Sequence, residues 1–287
     1  MNRIRRKLTR VKVRLSNLVF RRIVIPALSS SRIGRNTTSG AADSGISIDD
    51  IYKNTPLGAN LFGKALDNFL LQLPAVKATQ SKKDIVVKVL ANEVENNNIL
   101  GKTTKIIDIA SGPARYLVSF LEKNTHYDKD VQILCIDNDG ESVSYGNFLG
   151  RNKPIRFIKA NVFKLGTLKR FSDKVKWKGN IIVCTGFFEL QNDVIVQGLL
   201  KEIYDFMEPG SLLLFTSQAN NPSKTLMKKI GKRQNGVDWR MHFRPPAKLR
   251  KWLLDIGYRD VIISLDGWGM YEYCTARRQC LGEVYET

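Results

Sequence analysis

Between Asp108 and Tyr116 an apolar stretch runs into a carboxylate and then into small residues: Asp108-Ile109-Ala110-Ser111-Gly112-Pro113-Ala114-Arg115-Tyr116. Small side chains at the alternate positions Ala110, Gly112 and Ala114 let the backbone come close to a ligand, because a larger side chain would occupy the ligand's place. A turn of this kind, joining a strand to a helix in an open parallel sheet, stands where such sheets bind cofactors. A dinucleotide fingerprint fits poorly: begun at Ala110, G-x-G-x-x-G puts Arg115 where the third glycine should pack helix on strand. The alternate-position register fits better. An ordinary strand-to-helix turn is the rival reading of this loop taken alone.

Other polar residues stand at the ends of apolar runs. Ile133–Ile136 ends in Asp137-Asn138-Asp139, where Asp137 can accept two hydrogen bonds from ribose hydroxyls with Asn138 beside it. Asn138 or Asp139 can cap the helix that follows. Residues 156–160 lead to Asn161-Val162, and residues 181–184 open into Thr185-Gly186-Phe187-Phe188-Glu189. Glu189, Gln218, Arg240, His242 and Arg244 are the polar candidates for an acceptor. Arg240, His242 and Arg244 alternate, so an extended chain puts all three on one face, suited to a carboxylate or phosphate. A solvated basic edge explains them as well. His242 is a candidate general base, although a histidine beside two arginines tends to a depressed pKa and can equally be structural. Arg115 suits a carboxylate or a surface ion pair, and Tyr52 either closes over the site or packs within its own segment. Cys184, at an apolar strand end, reads as core.

These residues are held by alternating elements. Strands are predicted at 105–109, 131–136, 155–158, 180–184, 211–216, 258–264 and 270–276, with helices at 116–122, 141–150, 193–207, 223–230 and 246–256. Strands alternating with helices imply a parallel sheet covered on both faces. Only Asp266-Gly267-Trp268-Gly269 separates the last two strands, too short for a crossover, so that pair should be an antiparallel hairpin. Residues 46–98 carry helical stripes and read as an entry or lid. Three segments result: a basic amphipathic arm and linker (1–42), the helical region (43–100) and a ligand-binding domain (101–287).

The chain has 287 residues with 46 Lys+Arg against 27 Asp+Glu, a net charge of +19. Eleven of those basic residues lie in 1–42, which holds no acid, so more than half of the excess belongs to the arm. The charge therefore argues only weakly that the main domain is a nucleic-acid surface. Ile4, Leu8, Val11, Leu15, Leu18 and Val19 follow the helical period opposite a basic face, and Pro26 is expected to end that helix. The Ser/Thr/Gly-rich stretch 29–45 reads as a linker. The arm fits an anionic membrane surface through residues 1–35, a cleaved targeting segment, or a solvated helix on its own domain. No apolar run reaches the roughly 18 to 20 residues that a spanning helix needs. The four cysteines show no C-x-x-C spacing and there are two histidines, so no metal site is expected. A reducing, cytoplasmic setting suits the cysteines, with peripheral membrane contact through the arm.

The Ala110-x-Gly112-x-Ala114 turn with Asp108 ahead of it is similar to that of class I S-adenosylmethionine-dependent methyltransferases. More narrowly, residues 108–116 resemble the D-I-A-x-G-x-x-R-Y turn of a bacterial group classed as putative methyltransferases, some fused behind an α/β-hydrolase domain. Ser44–Asp49, Ile51–Gly58, Thr216-Ser217-Gln218, Trp239-Arg240-Met241 with Arg244, and Gly267–Met270 through Ala276-Arg277-Arg278 are similar to the same group, over about Ser44 to Arg278. The chain departs from it in two places. The residues ahead of Ser44 do not read as a hydrolase domain, and Ala219-Asn220-Asn221-Pro222 lacks the expected His and Trp. The resemblance implies a Rossmann-like class I methyltransferase fold: an α/β, mostly parallel seven-stranded sheet with a C-terminal antiparallel hairpin, plus an N-terminal helical segment. It implies S-adenosylmethionine as cofactor, held by Asp108, Ala110, Gly112, Arg115, Asp137, Asn138, Asn161, Val162, Thr185 and Gly186, with Asn161 and Val162 at the adenine. Glu189 and His242 are then catalytic candidates, and Tyr52, Gln218, Arg240 and Arg244 substrate contacts. A small or lipid-like acceptor leads. RNA methylation and a membrane-associated binding module without turnover are the alternatives.

Overall fold

The structure is a computed structural model; it describes residues 20–127, 129–164, 178–225 and 240–280, and the single residues Leu168, Asp173 and Met227. The amphipathic repeat of residues 4–19 and half of the helix expected at 223–230 lie outside the described residues. The chain divides into two compact units, Met1–Lys77 with Ser223–Trp239, and Ala78–Pro222 with Arg240–Thr287. The boundary at residues 77 and 78 differs from the divisions expected near 42 and 100.

The first unit is helical: α1 (Ile25–Ser30), α2 (Arg32–Thr38), α3 (Gly45–Lys53), α4 (Leu61–Leu71) and the start of α5 (Pro74–Ile99). Two expectations need correcting here. Pro26 does not end a helix: a π-helical turn, Phe20–Val24, runs through a helical Val24 straight into α1, and Pro26 is the second residue of α1. The stretch read as a linker contains α2. Ser31 caps α2 by accepting from the Gly34 N–H at 2.9 Å. Its hydroxyl donates to buried Asp67 at 2.5 Å, and Asp67 also accepts the Ile33 and Leu57 N–H groups at 3.1 and 2.8 Å. Composition alone cannot show a helix ordered by a carboxylate so far along the chain.

The second unit carries the sheet: β1 (Thr104–Ile109), β2 (Val131–Asp137), β3 (Ile155–Lys159), β4 (Ile181–Cys184), β5 (Leu212–Gln218), β6 (Tyr258–Leu265) and β7 (Tyr271–Arg278). All seven expected strands are present, in the order β3-β2-β1-β4-β5-β7-β6. β1 to β5 run parallel, and β7 is antiparallel to both β5 and β6, giving the expected hairpin. Helices α6 (Arg115–Lys123), α7 (Gly140–Leu149), α8 (Asp193–Phe206) and α9 (Pro246–Ile256) cover it. One face packs Ile107, Ile136, Ile182, Leu213 and Phe215 against Leu200 and Ile203 of α8 and Trp252 and Leu253 of α9. Burying each such aliphatic side chain contributes about 1.5–3 kcal/mol. α5 is fixed to β7 by Arg277, whose guanidinium donates to both oxygens of Glu93 at 2.8 and 2.7 Å. Among the described residues no helix is long and apolar enough to cross a membrane.

Candidate functional site

The strand order reverses between β1 and β4, so the carboxyl ends of these strands open a crevice in which a ligand can sit. The turn after β1 lines it. Ala110, Gly112 and Ala114 have φ of 53°, 54° and 48°, three left-handed residues at alternate positions. This backbone favours glycine, and alanine is the smallest side chain that can stand in for it. Ala114 caps α6, whose first residue, Arg115, donates to the Tyr145 hydroxyl at 3.1 Å.

Asp137 at the end of β2 joins the two loops. Its Oδ2 accepts the Gly112 N–H at 2.7 Å and its Oδ1 the Asp139 N–H at 2.8 Å. A carboxylate has about four lone-pair positions, so capacity remains for a hydroxyl donor. Burial pushes the carboxyl up from its ordinary value, and the backbone N–H bonds hold it back. Capping of α7 falls to Asp139, which accepts from the Glu141 and Ser142 N–H groups; Asn138 is exposed beside it. Asp108 is fully buried at the end of β1 and accepts from the Tyr116 hydroxyl. Its Oδ1 has no partner. Burial drives its carboxyl well above the ordinary range, the Tyr116 bond opposes this, and Asp137 adds to the rise.

After β3, Asn161 Oδ1 accepts the Phe163 N–H at 2.9 Å, a local turn that leaves Val162 buried and Phe163 half exposed. The Phe163 ring lies 5.5 Å from that of Phe187, an aromatic edge that the sequence reading missed. After β4, Gly186 is left-handed at φ 74° and donates its N–H to Thr216 Oγ1 at 2.8 Å. Thr185, just ahead of it, is half-buried near the Tyr116 hydroxyl. Thus Asp108, Ala110, Gly112, Arg115, Asp137, Asn138, Asn161, Val162, Thr185 and Gly186 all fall at the carboxyl ends of β1 to β4 or in the segments that directly follow them.

The acceptor candidates divide. Glu189 and Gln218 are buried, and Glu189 Oε2 and Gln218 Nε2 have no hydrogen-bond partner. The His242 N–H donates to the Glu189 carbonyl at 2.8 Å, which brings half-buried His242 to the same loop. Exposure of the alternating trio is unequal: Arg240 is exposed, whereas Arg244 is 1 % exposed. Arg244 donates to Asp193 at 3.0 Å and to the carbonyls of Phe188 and Gln191 at 2.8 and 2.5 Å. It braces the loop between β4 and α8, so the three residues do not form one solvent-facing basic surface. Tyr52 is buried on α3 of the first unit.

The sequence reading also missed Lys82, Tyr271 and Tyr273. Lys82 of α5 is fully buried with its Nζ 4.8 Å from the Tyr271 ring centroid. Its signal was present in the spacing: Ala78, Lys82, Val86, Leu90 and Val94 form one stripe four residues apart. A cleft of about 550 Å3, lined in part by Glu93, Asn97, Lys102, Asn180 and Ser211, lies at the amino ends of β4 and β5, the end opposite these loops.

Residues 7–278 match a protein family described as "Putative methyltransferase". Over 244 residues the chain is 23% identical to the uncharacterized protein YnbC of Escherichia coli K12, covering 83% of this chain and 40% of that protein. The chain therefore spans about two-fifths of the length of this curated relative. Among solved structures, a "possible exported protein" from Bordetella parapertussis superposes with a TM-score of 0.66 at 16% identity, over 88% of this chain and 85% of the other. Magnesium protoporphyrin IX methyltransferase from Synechocystis PCC 6803, with SAH bound, gives 0.53 at 16% identity, over 74% and 88%. The DszA carbon methyltransferase gives 0.55 at 13% identity, over 71% and 55%.

Proposed function

The chain belongs to this putative methyltransferase family and has the class I methyltransferase fold, and on that premise we propose that it transfers a methyl group from S-adenosylmethionine to a small-molecule or lipid-like acceptor. The observation that carries the reading is the left-handed run at 110, 112 and 114, with Gly112 tied to Asp137. In this reading Asp137 and Asn138 hold the ribose, and Asn161 and Val162 meet the adenine. Ala110, Gly112 and Gly186 give backbone close approach, Asp108 Oδ1 and Arg115 meet the methionine end, and Thr185 lines the crevice. The unpartnered, buried Asp108 Oδ1 supports a polar ligand there.

When bound, the cofactor supplies an activated methyl on a sulfonium. The chain's own residues then have to orient the acceptor, exclude water and take up a proton where the nucleophile carries one. Glu189 and His242 are the candidates for the proton, with Gln218 and Arg240 toward the acceptor. Arg244 supports these groups through the loop it braces. Residues 1–35 give the proposal a second partner, an anionic membrane surface, on the strength of their charge. RNA is favoured by net charge alone.

Calorimetric titration with S-adenosylmethionine, S-adenosylhomocysteine and NAD tests the cofactor. Saturable heat for the first two and none for NAD is expected. Binding of NAD alone would overturn the reading, and no binding at all would favour a module that has lost turnover.

A further inference from the structure

Lys82 is a cation on an otherwise apolar stripe, and Ala78, Val86, Leu90 and Val94 on either side of it are buried too. Burying an ammonium is costly unless the surroundings are arranged for it. Those surroundings lie at the carboxyl end of β4. A Cβ on Gly186 would come within 3.0 Å of Lys82 Nζ, so the glycine leaves room for the amine beside the crevice. Glu189 faces Lys82 from the loop after β4, Tyr271 and Tyr273 face this cluster from β7, and Thr79 of α5 bonds the Tyr271 hydroxyl at 3.2 Å. Glu189 Oε2, Gln218 Nε2 and the Tyr273 hydroxyl are buried without hydrogen-bond partners. Such groups cluster where a polar ligand or water completes them.

Resting on the methyltransferase reading, we propose that Lys82 is a catalytic residue and that the acceptor is a small molecule with an acidic hydroxyl, a phenol or enol, whose oxygen meets Lys82 and the Gln218 amide. A hydrocarbon surface would leave the buried donors and acceptor unsatisfied. An amine would arrive as an ammonium, with no lone pair free for the methyl carbon. In the step, the hydroxyl O–H bond breaks and its proton goes to the lone pair of the Lys82 amine in its unprotonated form. The oxygen pair forms the bond to the methyl carbon while the carbon–sulfur bond breaks and its pair stays on sulfur. The new ammonium passes its proton to Glu189 and on to water. Burial lowers the Lys82 pKa while Glu189 opposes this, and burial raises that of Glu189 while Lys82 and Arg244 oppose it. Both directions suit proton exchange within the pair.

The full chain saturated with S-adenosylhomocysteine is titrated with 4-nitrophenol at a pH below the phenol's own pKa, with benzylamine and benzoate as controls. Binding should produce the nitrophenolate absorption band. Lys82→Met should keep S-adenosylhomocysteine affinity within about twofold and lose the band. A full band in Lys82→Met, failure of 4-nitrophenol to bind the loaded protein, or preference for benzylamine or benzoate would overturn the assignment. Failure of S-adenosylhomocysteine itself to bind would be seen in the calorimeter first, and would remove the cofactor reading and this one together.

Discussion

Asp137 Oδ2 accepts the Gly112 N–H at 2.7 Å, so the residue assigned to the ribose also fixes the turn assigned to the methionine end. Two loops that are distant in sequence become one cradle through a single carboxylate. Asp137→Ala should therefore weaken S-adenosylhomocysteine binding by more than the loss of ribose contacts alone. Hydrogen bonds to a charged group are worth about 1.5–3 kcal/mol, so a drop of roughly 10- to 100-fold or more is expected by calorimetry. Unchanged affinity in a folded variant would remove Asp137 from the site.

The same turn holds two alanines where the backbone favours glycine. Ala114 has φ of 48°, a conformation that costs an L-residue about 1–2 kcal/mol. Ala114→Gly relieves that strain but adds chain entropy to the unfolded state, so a net gain of about 0.5–1 kcal/mol is expected. Thermal unfolding should shift upward by about 1–4 °C. Gly112→Val, at φ 54° with a β-branched side chain, should move stability the other way and abolish cofactor binding.

Much of this site was legible because a parallel sheet writes itself in apolar runs. The strands β1, β2 and β4 are such runs, and the polar residues at their carboxyl ends line the crevice. What was not legible came from contacts far apart in the chain. α2 looked like a linker because its order depends on Asp67. Arg244 looked like a partner of Arg240 because alternation gives the face of a strand but not its depth; Asp193 and two loop carbonyls draw it inward. Lys82 stands next to Lys83, and its place on the Ala78–Val94 stripe shows that only one of the two can face water.

Glu272 gives the fold a pH dependence. It is fully buried on β7, neither carboxyl oxygen is hydrogen-bonded, and burial pushes its pKa up to about 7, with Ser217 and Arg244 nearby drawing it back. The folded state therefore holds a proton that the unfolded chain releases near its ordinary 4.5. The contribution is full below that value and is lost as pH rises through about 7, on the order of 3 kcal/mol in all. Denaturant titrations across this window should show stability falling with pH, and Glu272→Gln should flatten the slope. An unchanged slope in the variant would assign the dependence to other groups.

Arg244 should behave as a brace. Arg244→Met removes a buried cation from Asp193 and leaves the carbonyls of Phe188 and Gln191 without their donor, at a cost of about 3 kcal/mol. Arg244→Lys cannot reproduce three separate donors and should recover little of it. Urea denaturation gives the loss directly. Retention of stability with loss of acceptor binding would instead place Arg244 at the substrate.

The membrane proposal has to be tested without disturbing the first helical unit. Removing residues 1–35 would take away Ser31 and Arg32, and with them the bonds to Asp67 and Asp50 at 2.5 and 2.8 Å that order α2 against its neighbours. A shorter deletion, residues 2–19, removes seven Lys/Arg and leaves those bonds in place. If that segment holds the chain on anionic lipid, each basic residue at the surface contributes up to about 1 kcal/mol, so co-sedimentation with phosphatidylserine vesicles should fall by at least about tenfold. The binding of the full chain should weaken with added salt and be absent on phosphatidylcholine alone. S-adenosylhomocysteine affinity should be the same in both proteins. Equal vesicle binding by the shortened chain would discard the arm as a membrane contact and move the search to the surface of the first unit.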